Sequence, residues 1–457
     1  MGCEVRTGLP ITLPRLSMKR AFVLLIPLLI LCVSAVLVSR QTAAPIALKS
    51  ALVTQHGASD TDSTLSPALR KFNQEARALW VVRFTLTSPE AVRASVMRAK
   101  ENGFTDLVVQ VRGRGDAFYN SQFEPRAEEL AEQPKDFDPL TLMIQEAHAQ
   151  GLRVHAWLNV YLVANVGKLP DLPEHIIYQH PDWLMVPRPL AAKLYGMDPK
   201  APEYLAKLRD YTRANRQILE GLYVSPAHPA VKENLRNIWL DVLEKYEVDG
   251  LHFDYVRYPN ANFDYSRISL ERFRAELEPK LEEADRQRMA ALLVKNPLAY
   301  ATVYPARYAQ FQREQVSEFV ESIYHAVKAR KPEVAISAAV YADAAEGHRS
   351  RYQDVKTWLR RGALDIVCPM AYTPDTRIFR KQMTQALNLS AGHPVWGGIG
   401  SWRQPVTSTL EKIKVARELG AQGFILFSYD SAVQFSALNP QKDYLERLRS
   451  RLEVNTN

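Results

Sequence analysis

Asp254 closes the run Asp249-Gly-Leu-His-Phe-Asp-Tyr-Val-Arg-Tyr-Pro259, with His252 two residues before it and Arg257 three after. If the run is a strand, side chains alternate, so Gly250, His252 and Asp254 share one face and Leu251, Phe253 and Tyr255 the other. A carboxyl group at the tip of such a face, with an imidazole beneath it and a guanidinium beside it, suits general acid–base work. His252 would tune the acid, and Arg257 would lower its pKa by folding inward. The plainer alternative is an aspartate that caps a loop above a satisfied core histidine. Glycoside cleavage needs an acid to protonate the leaving oxygen and usually a second carboxylate as nucleophile or base. Asp343 is the second candidate in the catalytic set with Asp254 and His252, while Asp116, Asp375 and Asp430 occupy comparable loops. A 2-acetamido group on the substrate can replace that second carboxylate.

The other strand-like runs end in residues of a recognisable kind: Arg83, Arg112, Asn159, Tyr341, Tyr372, Trp402 and Tyr429. Trp157 shares a face with His155 and Asn159, and Asp116, Tyr255, Arg257 and Tyr258 lie in loops just beyond strand ends. Aromatic rings pack on the C–H faces of sugars, while amides and charges hydrogen-bond hydroxyls. This palette points to a polysaccharide ligand. It contains no metal-ligand triad, so neither a metal nor a cofactor is expected. A non-catalytic glycan-binding protein would use the same aromatics and differs only in not needing a placed acid.

These residues must be carried by a scaffold that puts many strand ends at one mouth. Strand-like segments at Ala78–Phe84, Asp106–Val111, Arg153–Asn159, Asp249–Tyr255, Val334–Tyr341, Leu364–Tyr372, Val395–Gly400 and Gly423–Phe427 are separated by helical patterns such as Val231–Glu247, Gln315–Lys331, Asp354–Arg361, Thr407–Leu419 and Gln441–Leu452. Ser88-Pro-Glu and the Pro139–Gln150 pattern open helices in the same way. Strands alternating with helices imply a parallel sheet. With no Gly-rich dinucleotide fingerprint after the first strand, the count favours a single (β/α)₈ barrel over an open sheet. Two long insertions interrupt it. Tyr161–His228 loses periodicity and is rich in proline, tyrosine and tryptophan, so it is expected to overhang the mouth; Asn260–Pro305 contains a peripheral helix pair over Leu270–Leu293.

The 457 residues are 47% hydrophobic and 24% charged, ordinary for a globular protein with a large core. The net charge of +8 includes a surplus up to Ala44, where Arg6, Arg15, Lys19, Arg20 and Arg40 face Glu4 alone. With that leader set aside, and no zinc-finger, phosphate-loop or aromatic-basic motif present, nucleic acid is not an expected partner. Lys19-Arg20 followed by the apolar run Ala21–Val38 and small residues to Ala44 reads as a signal peptide or an N-terminal membrane anchor over 1–44, with a polar tether over 45–73 and the barrel over 74–455. The folded part is then exported, to the periplasm or the outside. Of the three cysteines, only Cys368 falls in the barrel, within an apolar strand, and is expected to be buried and inert.

Taken together, Gln110-Val-Arg112 with Gly115-Asp-Ala117, His155-Ala-Trp-Leu-Asn159, Asp249 to Tyr255 with Tyr258-Pro259, Asp365 to Tyr372, and Gly423-Phe to Phe427-Ser-Tyr429 resemble the glycosyl hydrolase-like 10 family of exported bacterial barrels. That resemblance implies a β-glycosidase acting on N-acetylated cell-wall glycan, such as peptidoglycan strands stripped of their peptides, with Asp254 at the position of the family's fourth-strand carboxylate. Tyr255 stands where many relatives carry a second acidic residue.

Overall fold

The computed structural model describes residues 67–69, 74–434 and 436–454; the expected leader, and all but 67–69 of the expected tether, lie outside them. Among the described residues no helix is long and apolar enough to cross a membrane. Eight parallel strands close into a barrel: β1 (Ala76–Val81), β2 (Asp106–Arg112), β3 (Arg153–Asn159), β4 (Gly250–Asp254), β5 (Ala335–Tyr341), β6 (Ile366–Met370), β7 (Trp396–Gly400) and β8 (Gly423–Phe427). Crossover helices ring the barrel, among them Pro89–Glu101, Pro139–Ala149, Pro229–Lys245, Pro305–Lys328, Thr376–Ser390 and Val406–Glu418.

Strand alternation divides the core into two regions. On β4, Leu251 and Phe253 face outward to the helices, where Phe253 stacks on Trp239 at 4.0 Å. The inward set of the strands, including Trp80, Val108, Trp157, Ala339, Cys368, Trp396 and Ile425, fills the barrel as a separate apolar cluster. Beneath it Asp106 is gripped by His155 at 3.0 Å and by Arg153 at 2.7 Å. Burial works against the charge of Asp106, yet these hydrogen bonds bring its pKa down to about 2. Gly250 is required at the inward start of β4, because a Cβ there would lie 2.1 Å from the Nδ1 of His155. Cys368 is buried, and burial raises its thiol pKa.

Some boundaries differ from expectation, each for a visible reason. β1 stops at Val81 instead of running to Phe84, because Asp430 accepts the Val82 amide at 2.8 Å and the Thr85 hydroxyl at 2.6 Å, turning the chain into a 3₁₀ helix at Arg83–Thr87. The helix expected from Gln315 begins at Pro305. The helix Thr376–Ser390, not anticipated, is capped by Asp375, which accepts the amides of Arg377 and Ile378. The first insertion is ordered: Leu162–Ala164 pairs with Leu222–Tyr223 in an antiparallel ribbon, and the helices Arg188–Tyr195 and Pro202–Ala214 lie between them in sequence. The second holds the helices Arg267–Leu277 and Glu283–Leu293.

Candidate active site

Asp254 is the last residue of β4, paired with Asn159 on β3. The chain then turns sharply, with Tyr255 at φ 49°, a left-handed conformation costly for a side chain of this size. The turn lets the Tyr255 amide donate to Oδ1 of Asp254 at 2.6 Å and brings Arg257 back to donate to the same oxygen at 2.7 Å. Arg257 is buried and packs over the rings of Tyr255 at 4.1 Å and Tyr341 at 5.6 Å. Oδ2 of Asp254 takes no hydrogen bond among the described residues, and the side chain is 10% exposed. Burial raises the pKa of Asp254 above the usual carboxylate value; Arg257 and the Tyr255 amide only partly offset this, and the charge of Glu220 adds to the rise.

The cavity bordered by Asp254 has a volume of about 470 Å³, within the range of small-ligand sites. Trp80, Tyr372, Trp402 and Phe427 form one aromatic wall, with Tyr372 meeting Trp402 edge-on at 5.1 Å and Phe427 meeting Trp402 at 5.4 Å. Gly400 makes room for this wall, since a Cβ there would lie 2.6 Å from the Trp402 ring. Trp402 is 42% exposed at the opening. Trp157, Asn159, Tyr255, Arg257 and Tyr341 also border the cavity. Asn159 is oriented by its Nδ2 donating to the Gly113 carbonyl at 2.7 Å and its Oδ1 accepting from Trp157 at 2.8 Å.

Of the other aspartates weighed as a second carboxylate, none borders this cavity. Asp343 is exposed, caps the helix Ala344–Ser350 by accepting the Glu346 amide, and borders a different hollow. Asp375 is likewise a helix cap, and Asp430 has both oxygens engaged, by the Val82 amide and the Thr85 hydroxyl. The second carboxylate in the cavity is Glu220, exposed on the first insertion beside the ribbon and held by the Tyr223 hydroxyl at 2.6 Å. The insertion is expected to overhang the mouth, and its Leu162 and Glu220 do border the cavity; sequence reasoning missed Glu220 itself because no motif marks which residue of the insertion returns to the strand ends. Trp80, Gln110, Arg114, Met370 and Phe427 border the cavity as well and were not among the candidates.

Several expected site residues have other work. His252 lies below the cavity: Trp80 donates its indole N–H to Nε2 at 3.2 Å, so the ring's proton is on Nδ1, facing the Ser337 hydroxyl at 2.8 Å. Burial and the charge of His155 bring its pKa down to about 3, so it is neutral and anchors Trp80, with no part in setting the charge of Asp254. Arg112 is fully buried, pairs with both oxygens of Glu124 at 2.7 Å and donates to the carbonyls of Asn159 and Val160, which fastens β2 to the end of β3 and leaves nothing for a ligand. Tyr258 is buried against Tyr352 at 4.9 Å, and Tyr429 is buried in the short helix after β8. Asp116 turns Oδ1 to the Arg114 amide at 2.6 Å and borders a smaller neighbouring pocket.

Comparison with known proteins identifies the fold and the family. The chain is 23% identical to glycosyl hydrolase YngK of Bacillus subtilis over 334 residues, covering 66% of this chain and 54% of that protein. It is 23% identical to glycosyl hydrolase DigH of Escherichia coli K12 over 306 residues, 60% of this chain and 56% of DigH, so the match spans about half the length of these curated relatives. The glycoside hydrolase domain of PgaB (BpsB) from Bordetella bronchiseptica shares the fold with a TM-score of 0.56 at 14% identity, over 82% of this chain and 98% of that one. A beta-galactosidase from Rahnella sp. R3 does so at 0.57 and 15% identity, over 85% of this chain and 57% of that one. The glycosyl hydrolase-like 10 model matches residues 75–206 and 198–393, most of the described barrel, and the chain belongs to that family.

Proposed function

We propose that this protein is a glycoside hydrolase that cleaves β-linked, N-acetylated cell-wall glycan, with Asp254 as general acid. The observation that carries the reading is the free Oδ2 of a carboxyl group whose pKa is raised by burial, on the border of an aromatic-walled cavity. A protonated Asp254 delivers its proton to the glycosidic oxygen as the bond to the anomeric carbon breaks. Glu220 supplies the second carboxylate that such a reaction uses as nucleophile or base. Burial raises the pKa of Asp254 and favours its protonated form, while Glu220 stands exposed at the same cavity. The names of the curated relatives YngK and DigH support the reaction class. An export signal or anchor over 1–44 would put the barrel at the cell envelope, where such a substrate lies.

One observation favours a second reading, a barrel that holds glycan without cutting it: the bond from Arg257 to Oδ1 competes with protonation of Asp254. The two are separated by incubating the purified protein with denuded peptidoglycan, chitin oligomers and deacetylated glucosamine polymers and measuring new reducing ends. Release from at least one, abolished in Asp254→Asn, is the expected result. Binding without release from any of the three would leave the second reading standing.

A further inference from the structure

The cavity and a smaller pocket of about 130 Å³ share two residues, Arg83 and Arg114. The neighbouring Lys168 is already tied to Asp171 at 2.9 Å and Glu128 at 3.4 Å, but the two arginines are not neutralised in this way. Arg83 is 5% exposed; one nitrogen donates to Gln110 at 3.1 Å, while Nε and Nη2 have no partner among the described residues. Arg114 is half-buried, and its guanidinium makes no ion pair or hydrogen bond to any described residue. Buried guanidinium groups are normally paired, because an unsatisfied charged donor forfeits its hydration. Burial and the charge of Arg114 lower the pKa of Arg83, and Asp116, Glu129 and Tyr255 do not fully compensate. Asp116 borders the same pocket but makes no ion pair with either arginine among the described residues, and its Oδ1 accepts the Arg114 backbone amide.

We propose that Arg83 and Arg114 form a receptor for a carboxylate carried by the glycan that occupies the cavity beside Asp254. This rests on the proposed function and narrows it to an acidic glycan. The planar fork of a guanidinium matches a carboxylate better than it matches a hydroxyl. In peptidoglycan stripped of its peptides that group is the lactyl carboxylate of the muramic acid residues; in other glycans it is a uronic acid. A neutral chitin chain would leave both arginines unsatisfied.

The test is titration calorimetry on the full chain carrying Asp254→Asn, so that no substrate is consumed. Its ligands are stripped peptidoglycan strands, the same strands after chemical reduction of their carboxyl groups to alcohols, hyaluronan oligomers and chitin oligomers. Binding of an acidic glycan should weaken about 10- to 100-fold on reduction of its carboxyl groups, the range expected for one charge-assisted hydrogen bond or pair. Arg114→Gln in the same background should produce the same loss on the acidic ligand and none on chitin. The comparison of native with reduced strands needs no second variant, so a folding defect in Arg114→Gln leaves the test intact. Which acidic ligand shows the loss identifies the source of the carboxylate. Equal binding of native and reduced strands, or no binding of either acidic glycan, overturns the receptor. Cleavage by the wild-type protein is read separately: chitin cut without carboxylate-dependent binding overturns the receptor and spares the glycosidase, and the reverse result does the opposite.

Discussion

Arg257 holds one oxygen of Asp254 and leaves the other unengaged. The cation therefore lowers the pKa of Asp254 without occupying the oxygen that the proposed acid would use. Burial would drive the pKa of Asp254 high; Arg257 and the Tyr255 amide draw it part of the way back. A general acid is most effective when its pKa lies near the working pH, and these opposed effects are the means by which this chain would reach it.

Replacing Asp254 with Asn preserves shape and removes the proton donor. Turnover of a cleavable glycan should fall about 10²- to 10⁴-fold, the usual contribution of acid catalysis, while the thermal unfolding midpoint moves by only a few degrees. Wild-type-like turnover would remove Asp254 from the mechanism.

Arg257→Gln removes the cation that lowers the pKa of Asp254. An acid works while protonated, so activity is lost as pH rises through its pKa, and with Arg257 gone that limb of the kcat/KM profile should move to higher pH. Arg257→Lys keeps the charge and should move the limb much less. In denaturant titrations the Gln variant should also lose about 3 to 5 kcal/mol of stability above the raised pKa, where Asp254 is left ionised and unpaired, and less below it.

Glu220→Gln tests the second carboxylate. Its charge raises the pKa of Asp254, so neutralising it should shift the alkaline limb to lower pH, opposite in sign to Arg257→Gln, and kcat should fall at every pH. A change in KM alone would make Glu220 a binding residue.

Trp402→Ala removes an exposed ring from the aromatic wall. A stacking contact of about 0.5 to 1.5 kcal/mol corresponds to a rise in KM of roughly 2- to 13-fold, with kcat little changed. A matching drop in kcat would mean that the ring acts at the reacting bond.

Below the cavity, Asp106 has a pKa depressed to about 2. An unfolded aspartate titrates near 4, so the stability it contributes is complete above that value and is lost as pH falls toward 2. Unfolding free energies measured across this window should show the loss in the wild type and a flatter dependence in Asp106→Asn.

The alternation of Gly250, His252 and Asp254 made the inward face of β4 legible, the same period put Trp157 and Asn159 on one face, and the apolar run around Cys368 marked it as buried. Alternation reports which way a side chain points, not what it meets there. Arg112 closes a strand end as expected, but a register shift after Gln110 pairs it with Leu158 and its guanidinium is consumed by Glu124, a partner twelve residues on that no pattern identifies. Asp343 and Asp375 read as rim acids because they follow strand ends; residues at that position are equally suited to capping the next helix, and both do so. The first insertion hid Glu220 for a different reason. Its order comes from burial of Trp183, Tyr204 and Tyr223 and from the packing of Trp183 against His228 at 5.8 Å and of Tyr223 against Tyr255 at 6.1 Å, contacts between distant residues that leave no periodic trace.

Asp254 is carried by a barrel stave, whereas Glu220 is carried by the arm that leaves β3 and returns through the Leu162–Ala164 and Leu222–Tyr223 ribbon. The gap between two such carboxylates decides whether a sugar leaves with its anomeric configuration kept or reversed. Seating of the arm, not strand stagger, sets that gap here. If the two act as the proposed pair, changes in the arm alone, with the barrel untouched, would suffice to switch the product's stereochemistry.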